Sequence, residues 1–240
     1  MKKILFFLLF APLLSMAQKQ VINDEHAEPR TLNASFHSIE VSNAIDLYIS
    51  QNDDEGLAVS ATDPAIRNGI KASVTNGVLK IWFQGEGKWW KNGGNRKMRA
   101  YVSFAKLTKL KASGASDVYV TGSIKLNELE IELSGASDCK VVSISASKLV
   151  VNLSGASDMV VNGGKVTDLK IVASGASDFK GMDMLADNCS LDASGASDIH
   201  VTVNNELNAR ATGTSGIYYK GEGKIKEQKS SGSSIITRRG

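Results

Sequence analysis

Apolar and polar residues alternate along most of this chain, and one five-residue sequence interrupts the alternation at regular intervals. Ser-Gly-Ala-Ser-Asp begins at Ser113, Ser134, Ser154, Ser174 and Ser194, at spacings of 21, 20, 20 and 20 residues. A fixed period of about twenty residues with a glycine turn at one phase is typical of a solenoid, in which each repeat forms one coil and contacts only its neighbours. The pattern therefore predicts a repeat protein.

The alternation continues on both sides of the repeated sequence. The residues one, three and five places before its first serine are apolar in nearly every copy, as are most residues one and three places after its aspartate, for example Cys139 and Val141. A period of two indicates strands with one buried face. We therefore predict an all-β fold, a parallel β-solenoid with coils of about 20 residues, two strands per coil and rungs ~4.8 Å apart.

The corner sequence suits close stacking of the coils. Glycine adopts positive φ at low cost, and the small alanine and serine side chains let neighbouring coils approach each other. The glycines predicted to form these turns are Gly114, Gly135, Gly155, Gly175 and Gly195. We expect each corner aspartate to accept hydrogen bonds from backbone N–H groups at its corner, in an Asx-turn arrangement.

The corner aspartates also allow a second interpretation, a ladder of carboxylates that shares calcium. Its members would be Asp117, Asp138, Asp158, Asp178 and Asp198. Calcium takes oxygen ligands from several carboxylates, but each coil carries one acidic residue here, whereas calcium-binding β-rolls surround theirs with a glycine-rich nonapeptide. The structural role is therefore the main prediction, and we predict no metal and no cofactor.

Outlying segments repeat the pattern less faithfully. The segment Ser42–Asp46 is predicted to form an earlier corner, and Thr212–Gly216 keeps the turn but loses the aspartate. Ser231–Ser234 follows nineteen residues later, after a polar run from Lys224 to Lys229. Because charged residues protect an exposed sheet edge against further pairing, we interpret this tail as a cap.

The stretch before the first perfect repeat is irregular and contains the concentrated aromatic and basic residues of the chain. Val74 to Phe83 is predicted to form a hairpin around Asn76-Gly77, which favours a type I′ turn, and Met98 to Phe104 a strand. Between them lie the candidate binding residues Trp89, Trp90, Lys88 and Lys91. Exposed indoles there would stack on sugar rings or anchor a protein; alternatively, the tryptophans cover the open end of the core.

The first 17 residues are typical of a secretory signal peptide, with Lys2 and Lys3, an apolar stretch and Ala17 before the cleavage point. The residue directly after that point is not a cysteine, so we do not predict a lipoprotein. No later apolar run is long enough to span a bilayer. The protein is therefore expected to be exported to the periplasm, the outer surface or the medium. Residues 18–32 are predicted to be a flexible lead-in. Residues 33–240 are predicted to form one solenoid domain, irregular over 33–105 and regular over 106–240 with the cap.

Charge and reactive residues exclude several classes of function. The mature chain has 26 basic and 25 acidic residues, so binding to nucleic acid is not predicted. Cys139 and Cys189 lie three coils apart, beyond the ~7 Å reach of a disulfide, and are expected to be buried free thiols. The repeated serines have no nearby base, and the histidines lack metal-ligand spacing. We therefore predict no catalytic residues.

These motifs together resemble a known bacterial family, described as "putative auto-transporter adhesin, head GIN domain". The resemblance rests on Phe36 to Ile49, on Thr75 to Ile81 with its Asn-Gly hairpin, and on Leu110 to Val118 with its copies. It implies a right-handed parallel β-solenoid shaped like pectate-lyase-like proteins but without their catalytic residues. Adhesion is the role that the family name implies, with a glycan or a surface protein as partner.

The outward positions carry mixed charges that suit the weak multivalent contact of such an adhesin (Lys109, Lys111, Glu130, Glu132, Asn152, Lys170, Asp192 and Arg210). Two other functions stay open at this point. A polysaccharide-active β-helix enzyme would instead need long loops around paired carboxylates ~5–9.5 Å apart, whereas the turns here are short. A purely structural envelope scaffold would need neither. The oligomeric state does not follow from the sequence.

Overall fold

The computed structural model describes residues 24–85 and 97–239. They form a parallel β-solenoid of about six turns with ~20-residue coils, which confirms the predicted fold. The strands are β1 (Ala27–Arg30), β2 (Ser38–Val41), β3 (Ile45–Gln51), β4 (Gly56–Ser60), β5 (Ile70–Thr75), β6 (Val78–Phe83), β7 (Met98–Phe104), β8 (Lys109–Ala112), β9 (Val118–Leu133), β10 (Cys139–Leu153), β11 (Met159–Val161), β12 (Gly164–Ala173), β13 (Phe179–Ala193), β14 (Asp198–Gly213), β15 (Gly216–Lys220), β16 (Lys224–Gly232) and β17 (Ile235–Arg238). The helix α1 spans Pro64–Gly69.

Each coil between two corners is an almost continuous run of extended residues, which pairs in parallel with the next coil. The ladder between β9 and β10 changes register once, between Val141 and Ser143. Val141 pairs with Val120 and Ser143 with Ser123, so Thr121 and Gly122 together oppose Val142. This β-bulge accommodates the extra residue of the 21-residue first interval without disturbing the corners.

The core is narrow and apolar, as the alternation predicts. The columns on both sides of the corners are buried except at Thr108; Leu149, Val151 and Leu153, for example, are 0–1 % exposed. The second serine of each corner is also buried. From Ser137 onward its hydroxyl accepts a hydrogen bond from the backbone N–H of the equivalent serine one coil earlier, as Ser157 does from Ser137, and the Ser116 hydroxyl accepts from the Ile45 N–H. The corner therefore satisfies its own buried polar groups through its neighbours.

The corner glycines are required by both conformation and space. Gly135, Gly155 and Gly175 have φ of +81° to +83°, where residues with a side chain are strained. In addition, a Cβ on Gly155 would lie 2.5 Å from the carbonyl oxygen of Gly135. Backbone hydrogen bonds connect the corners at this point, from each alanine N–H to the preceding corner's glycine carbonyl at 2.8 Å.

The first coils are not stacked in chain order. β2 pairs on one side with β6 and on the other with β8, and β3 pairs in the same way with β7 and β9. The coil made by β2 and β3, which contains the predicted corner at Ser42–Asp46, therefore lies between the later β6–β7 coil and the first perfect repeat. The hairpin of β5 and β6 forms around Asn76 and Gly77, both at positive φ, as predicted.

The amino-terminal end of the solenoid is covered. β4 pairs antiparallel with β7, and β1 pairs antiparallel with β4. The prediction of a flexible lead-in through residue 32 is therefore wrong for the second half of that segment, because Ala27–Arg30 is a paired strand. Its attachment includes ion pairs from Arg67 to Glu28 and from Arg99 to Asp24, the latter at 3.1 Å.

Asp24 makes this attachment dependent on pH. Burial would raise the pKa of its carboxyl group, but hydrogen bonds from Tyr101, Ser60, the His26 N–H and Arg99 outweigh burial and lower that pKa to about 2. A lowered carboxyl pKa stabilises the folded state above the usual value of 3.8, and the stabilisation disappears as pH falls toward 2.

We therefore expect Asp24→Asn to lower the free energy of unfolding at pH 7 by on the order of 1–2 kcal/mol, after allowance for solvent screening. The difference from wild type should shrink between pH 4 and pH 2, and urea unfolding at several pH values measures it. Asp54→Asn, at an exposed carboxylate, is the control. An Asp24→Asn difference that is constant over this pH range would contradict the assignment.

The carboxyl-terminal end differs from the amino-terminal one. The turn at Thr212–Gly216 is present, with Leu207, Ala211 and Ile217 buried beside it. β16 then pairs with β14, but all nine of its residues are exposed. The tail thus forms one more rung along the axis.

Both cysteines are buried free thiols, as expected. Burial raises the pKa of each to about 12, so neither is reactive near neutral pH. Among the residues that the structure describes, no helix has the length and apolar character needed to cross a membrane.

Candidate functional site

The corner aspartates form a carboxylate row along one edge of the solenoid, which we define as Asp46, Asp117, Asp138, Asp158, Asp178 and Asp198. Each Oδ1 from Asp117 to Asp178 accepts a hydrogen bond from the backbone N–H of the aspartate in the following coil, at 3.1–3.2 Å. The acceptor role is as predicted, but the expected Asx-turn within one corner is wrong. The bond instead connects two coils, because equivalent corners lie one rung apart.

Part of the carboxylate row is neutralised by a lysine. Lys180 Nζ lies 3.2 Å from Asp178 Oδ2 and 3.6 Å from Asp158 Oδ2, and the hydrogen bond to Asp178 raises the pKa of its ammonium group. No group of three or more side chains in the described ranges is arranged to hold a metal ion. The calcium ladder stays a prediction, with one oxygen of four of its five carboxylates already occupied by backbone.

At the other end of the row, burial and the neighbouring charge of Asp117 raise the pKa of Asp46. Leu47 N–H donates to the Asp117 carbonyl at 2.7 Å, which holds the two coils together at this point. These two carboxylates thus lie in adjacent rungs, and both are partly buried.

A row of stacked tyrosines lies beside these carboxylates. We define the tyrosine row as Tyr101, Tyr48 and Tyr119, which occupy paired positions on β7, β3 and β9. Their ring centroids are 5.2 and 4.8 Å apart, with interplanar angles of 25° and 16°. Lys140 Nζ lies 5.8 Å from the Tyr119 centroid, so the row ends in a cation. Tyr48 therefore has a tyrosine ring stacked on each of its faces.

Two of these hydroxyl groups are bonded to carboxylates. Tyr101 donates to Asp24 at 2.7 Å, and Tyr119 donates to Asp117 at 3.3 Å. Burial and these carboxylates raise the pKa of both tyrosines to about 12, so both phenols stay protonated donors. The N-terminal coils therefore carry stacked phenol rings whose outer members are hydrogen-bonded to carboxylates.

The opposite sheet, which precedes the corners, uses its outward charges differently. Lys109 lies 3.3 Å from Glu130 and 2.7 Å from Glu132, and Lys111 lies 3.5 Å from Glu132. Asn152 donates to Glu130 at 3.3 Å. Five of the eight outward positions predicted to contact a partner are thus engaged with each other across the rungs. A depression of about 340 Å³ further along this sheet is lined by Lys170, Asp192 and Arg210, among others.

The predicted binding residues Trp89, Trp90, Lys88 and Lys91 lie outside the described residues. Their place in the chain is nevertheless informative, because β6 ends at Phe83 and β7 begins at Met98. β7 carries Tyr101, and Met98 pairs with Ile45 beside Asp46. The connection that contains the tryptophans therefore starts and ends on the coil that carries the outermost tyrosine, where every regular coil has its corner.

Our sequence reasoning missed the tyrosine row, although the signal is present. Tyr48 and Tyr119 each stand two residues after the corner aspartate, at Asp46 and Asp117. Tyr101 likewise stands two residues after Arg99, which pairs with Asp46. The unusual stacking order of the first coils hid the equivalence of Arg99 to the corner aspartates. Aligning all coils on the corner would have revealed two members of the row.

Comparison with known proteins supports this architecture. The family model described as "Putative auto-transporter adhesin, head GIN domain" matches residues 35–223. Among solved structures, a putative adhesin from Bacteroides fragilis is similar, with a TM-score of 0.79 at 20% identity, covering 89% of this chain and 96% of that one. A second, from Parabacteroides merdae, has a TM-score of 0.70 at 18% identity and covers 90% and 98%.

A third similar structure is called a putative lipid binding protein, from Parabacteroides distasonis, with a TM-score of 0.65 at 20% identity and coverage of 90% and 98%. At these identities the structures establish the fold alone. A search of curated proteins finds no match. The family match covers well over half of the chain, and the corner repeats and the Asn-Gly hairpin are in place, so this chain belongs to the family described as "Putative auto-transporter adhesin, head GIN domain".

Proposed function

We propose that the protein is a non-catalytic, adhesin-like binding module of the bacterial exterior or periplasm, and that its N-terminal coils contact a glycan. The observation that carries the proposal is the tyrosine row, which lies beside the partly buried carboxylates of Asp46 and Asp117. Phenol rings would supply apolar contact, and the carboxylates would accept hydrogen bonds from sugar hydroxyl groups.

The neighbouring Trp89 and Trp90 extend this surface in the proposal, since their segment joins the coil of Tyr101. Indole faces would stack on sugar rings, while Lys88 and Lys91 would contact acidic groups. A protein partner is the second ligand class that such aromatic side chains fit. Export through the signal peptide at residues 1–17 is part of the same proposal.

A glycan-array screen tests this function. Wild type is expected to bind a defined set of glycans, and a Trp89→Ala, Trp90→Ala double variant to lose at least about tenfold in signal, since aromatic contacts dominate binding surfaces. Lys165→Ala, at an exposed position far along the chain, is the control. Absence of any specific glycan signal from folded wild type would reject the glycan and leave a protein partner.

An enzyme acting on polysaccharides is the rival function, and one observation favours it. The adjacent carboxylates of Asp46 and Asp117 have an environment that raises the pKa of Asp46, and such pairs serve glycosidases. Both oxygens of Asp117, however, already accept hydrogen bonds, from the Asp138 N–H and the Tyr119 hydroxyl, whereas a glycosidase needs two carboxylates that are free to act on the substrate. Release of reducing sugars from a polymer, abolished by Asp46→Asn, would establish the enzyme.

A further inference from the structure

The carboxyl-terminal end of the solenoid concentrates positive charge. We define this end as residues 216–239, which contain two acidic residues and six basic ones (Lys220, Lys224, Lys226, Lys229, Arg238 and Arg239). The amino-terminal coils, residues 24–104, contain ten acidic and nine basic residues. The excess of basic residues in the near-neutral mature chain is therefore found at the carboxyl-terminal end.

The carboxyl-terminal end also exposes apolar side chains. Ile225 pairs below the buried Leu207 and is 43% exposed, and Ile235 is 49% exposed. Four large hydrophobic residues of the described chain are exposed to this degree, and these are two of them. At the other end, by contrast, Leu57, Val59 and Ile70 are buried beneath the added strands and helix. One end of the core is thus closed and the other partly open.

Several cations of this end have no acidic partner within the described residues. Lys226, Lys229 and Arg238 pair with Glu206, Glu227 and Glu222. Lys220 and Lys224 form no such pair in the part of the chain that the structure describes. Arg239 lies over the Tyr218 ring at 3.9 Å, and Tyr218 in turn stacks on His200 at 4.7 Å, so its guanidinium group is held at the end of the rod.

We propose that the carboxyl-terminal end docks on the surface of an anionic lipid bilayer. Cations attract anionic headgroups by about 1 kcal/mol each near the surface, and two exposed isoleucines among them gain by entering the interface. A soluble polyanion would neutralise the charges of the lysines but would not bury the isoleucine side chains. A second copy meeting this end with its own would bring like charges together.

Docking in this way orients the molecule. Because the contact is made by the end of the solenoid and not by its side, the rod stands upright on the surface. Eight rungs at ~4.8 Å separate β7 from β17, which places Tyr101 ~38 Å above the docked end. The tyrosine row would then lie near the end of the rod that is distant from the membrane. The docking does not depend on the ligand proposed above, and either proposal can fail alone.

Co-sedimentation with vesicles tests the proposal. The full chain is expected to pellet with vesicles made of equal parts phosphatidylglycerol and phosphatidylcholine, but not with phosphatidylcholine alone, and added salt should release it. A Lys220→Glu, Lys224→Glu variant should partition at least about tenfold more weakly. An Ile225→Ser, Ile235→Ser variant should lose about fivefold, because apolar burial is lost.

The matched control is Lys148→Glu, Lys170→Glu, which makes the same change in net charge on the side of the rod. It is expected to retain vesicle binding, and thermal unfolding verifies that each variant is folded. The proposal is overturned if wild type fails to pellet with the anionic vesicles, if the control loses as much binding as the end variant, or if the protein binds heparin or itself through this end while ignoring vesicles.

Discussion

Gly155→Ala is expected to destabilise the protein by about 3–4 kcal/mol, one of the two largest effects that the structure predicts for a single substitution. Gly155 has φ of +81°, and an added Cβ would approach the Gly135 carbonyl oxygen to 2.5 Å. That oxygen already accepts the N–H of Ala156 at 2.8 Å. Relief of the clash would therefore separate two coils at the hydrogen bond that connects their corners.

Gly122→Ala is the matched control, because nothing lies within 4 Å of a Cβ at that position. Its midpoint of urea unfolding should stay close to that of wild type. If Gly155→Ala were as stable as Gly122→Ala, tight stacking of the corners would not be what requires glycine there.

Phe179→Ala is expected to cost about 3–5 kcal/mol, since it would leave a large cavity in a narrow core. Phe179 is fully buried, and the space for its ring comes from Gly181, where a Cβ would lie 2.5 Å from the ring. The equivalent residues one coil earlier are Met159 and Val161. The large and small residues of these two coils thus compensate for each other. Urea unfolding measures the loss.

A double-mutant cycle isolates this compensation. Gly181→Val alone should destabilise by about 1–3 kcal/mol through overpacking. In the Phe179→Met background, which copies the preceding coil, most of that loss should be recovered. Purely additive effects would show that the ring and the glycine do not share one space.

Much of the fold could be predicted because the corner repeat makes every coil equivalent. The alternation around Leu129 and Cys139 identified the buried columns, and Asn76-Gly77 identified the hairpin. The stacking order of the first coils could not be predicted, because the apolar positions of β2 are compatible with more than one neighbouring strand. The pairing of β1 was missed because Pro29 and its polar neighbours give no periodic signal.

The candidate site was less predictable for a physical reason. Stacking of Tyr101 on Tyr48 joins residues more than fifty positions apart, through two coils that are not in chain order. The hydrogen bond from one corner aspartate to the next could likewise not be inferred from a single corner, because its donor belongs to another coil. Interactions along the axis follow from the stacking, and the stacking order at the amino-terminal end is set by tertiary packing.

Titration calorimetry with the glycan selected by the array tests whether a ligand binds at the tyrosine row. Wild type would be compared with Tyr48→Ser, in the middle of the row, and with Tyr218→Ser, near the other end of the same sheet. We expect Tyr48→Ser to weaken binding by at least about tenfold and Tyr218→Ser to leave it unchanged. Equal affinities for all three proteins, each shown to be folded, would contradict the account.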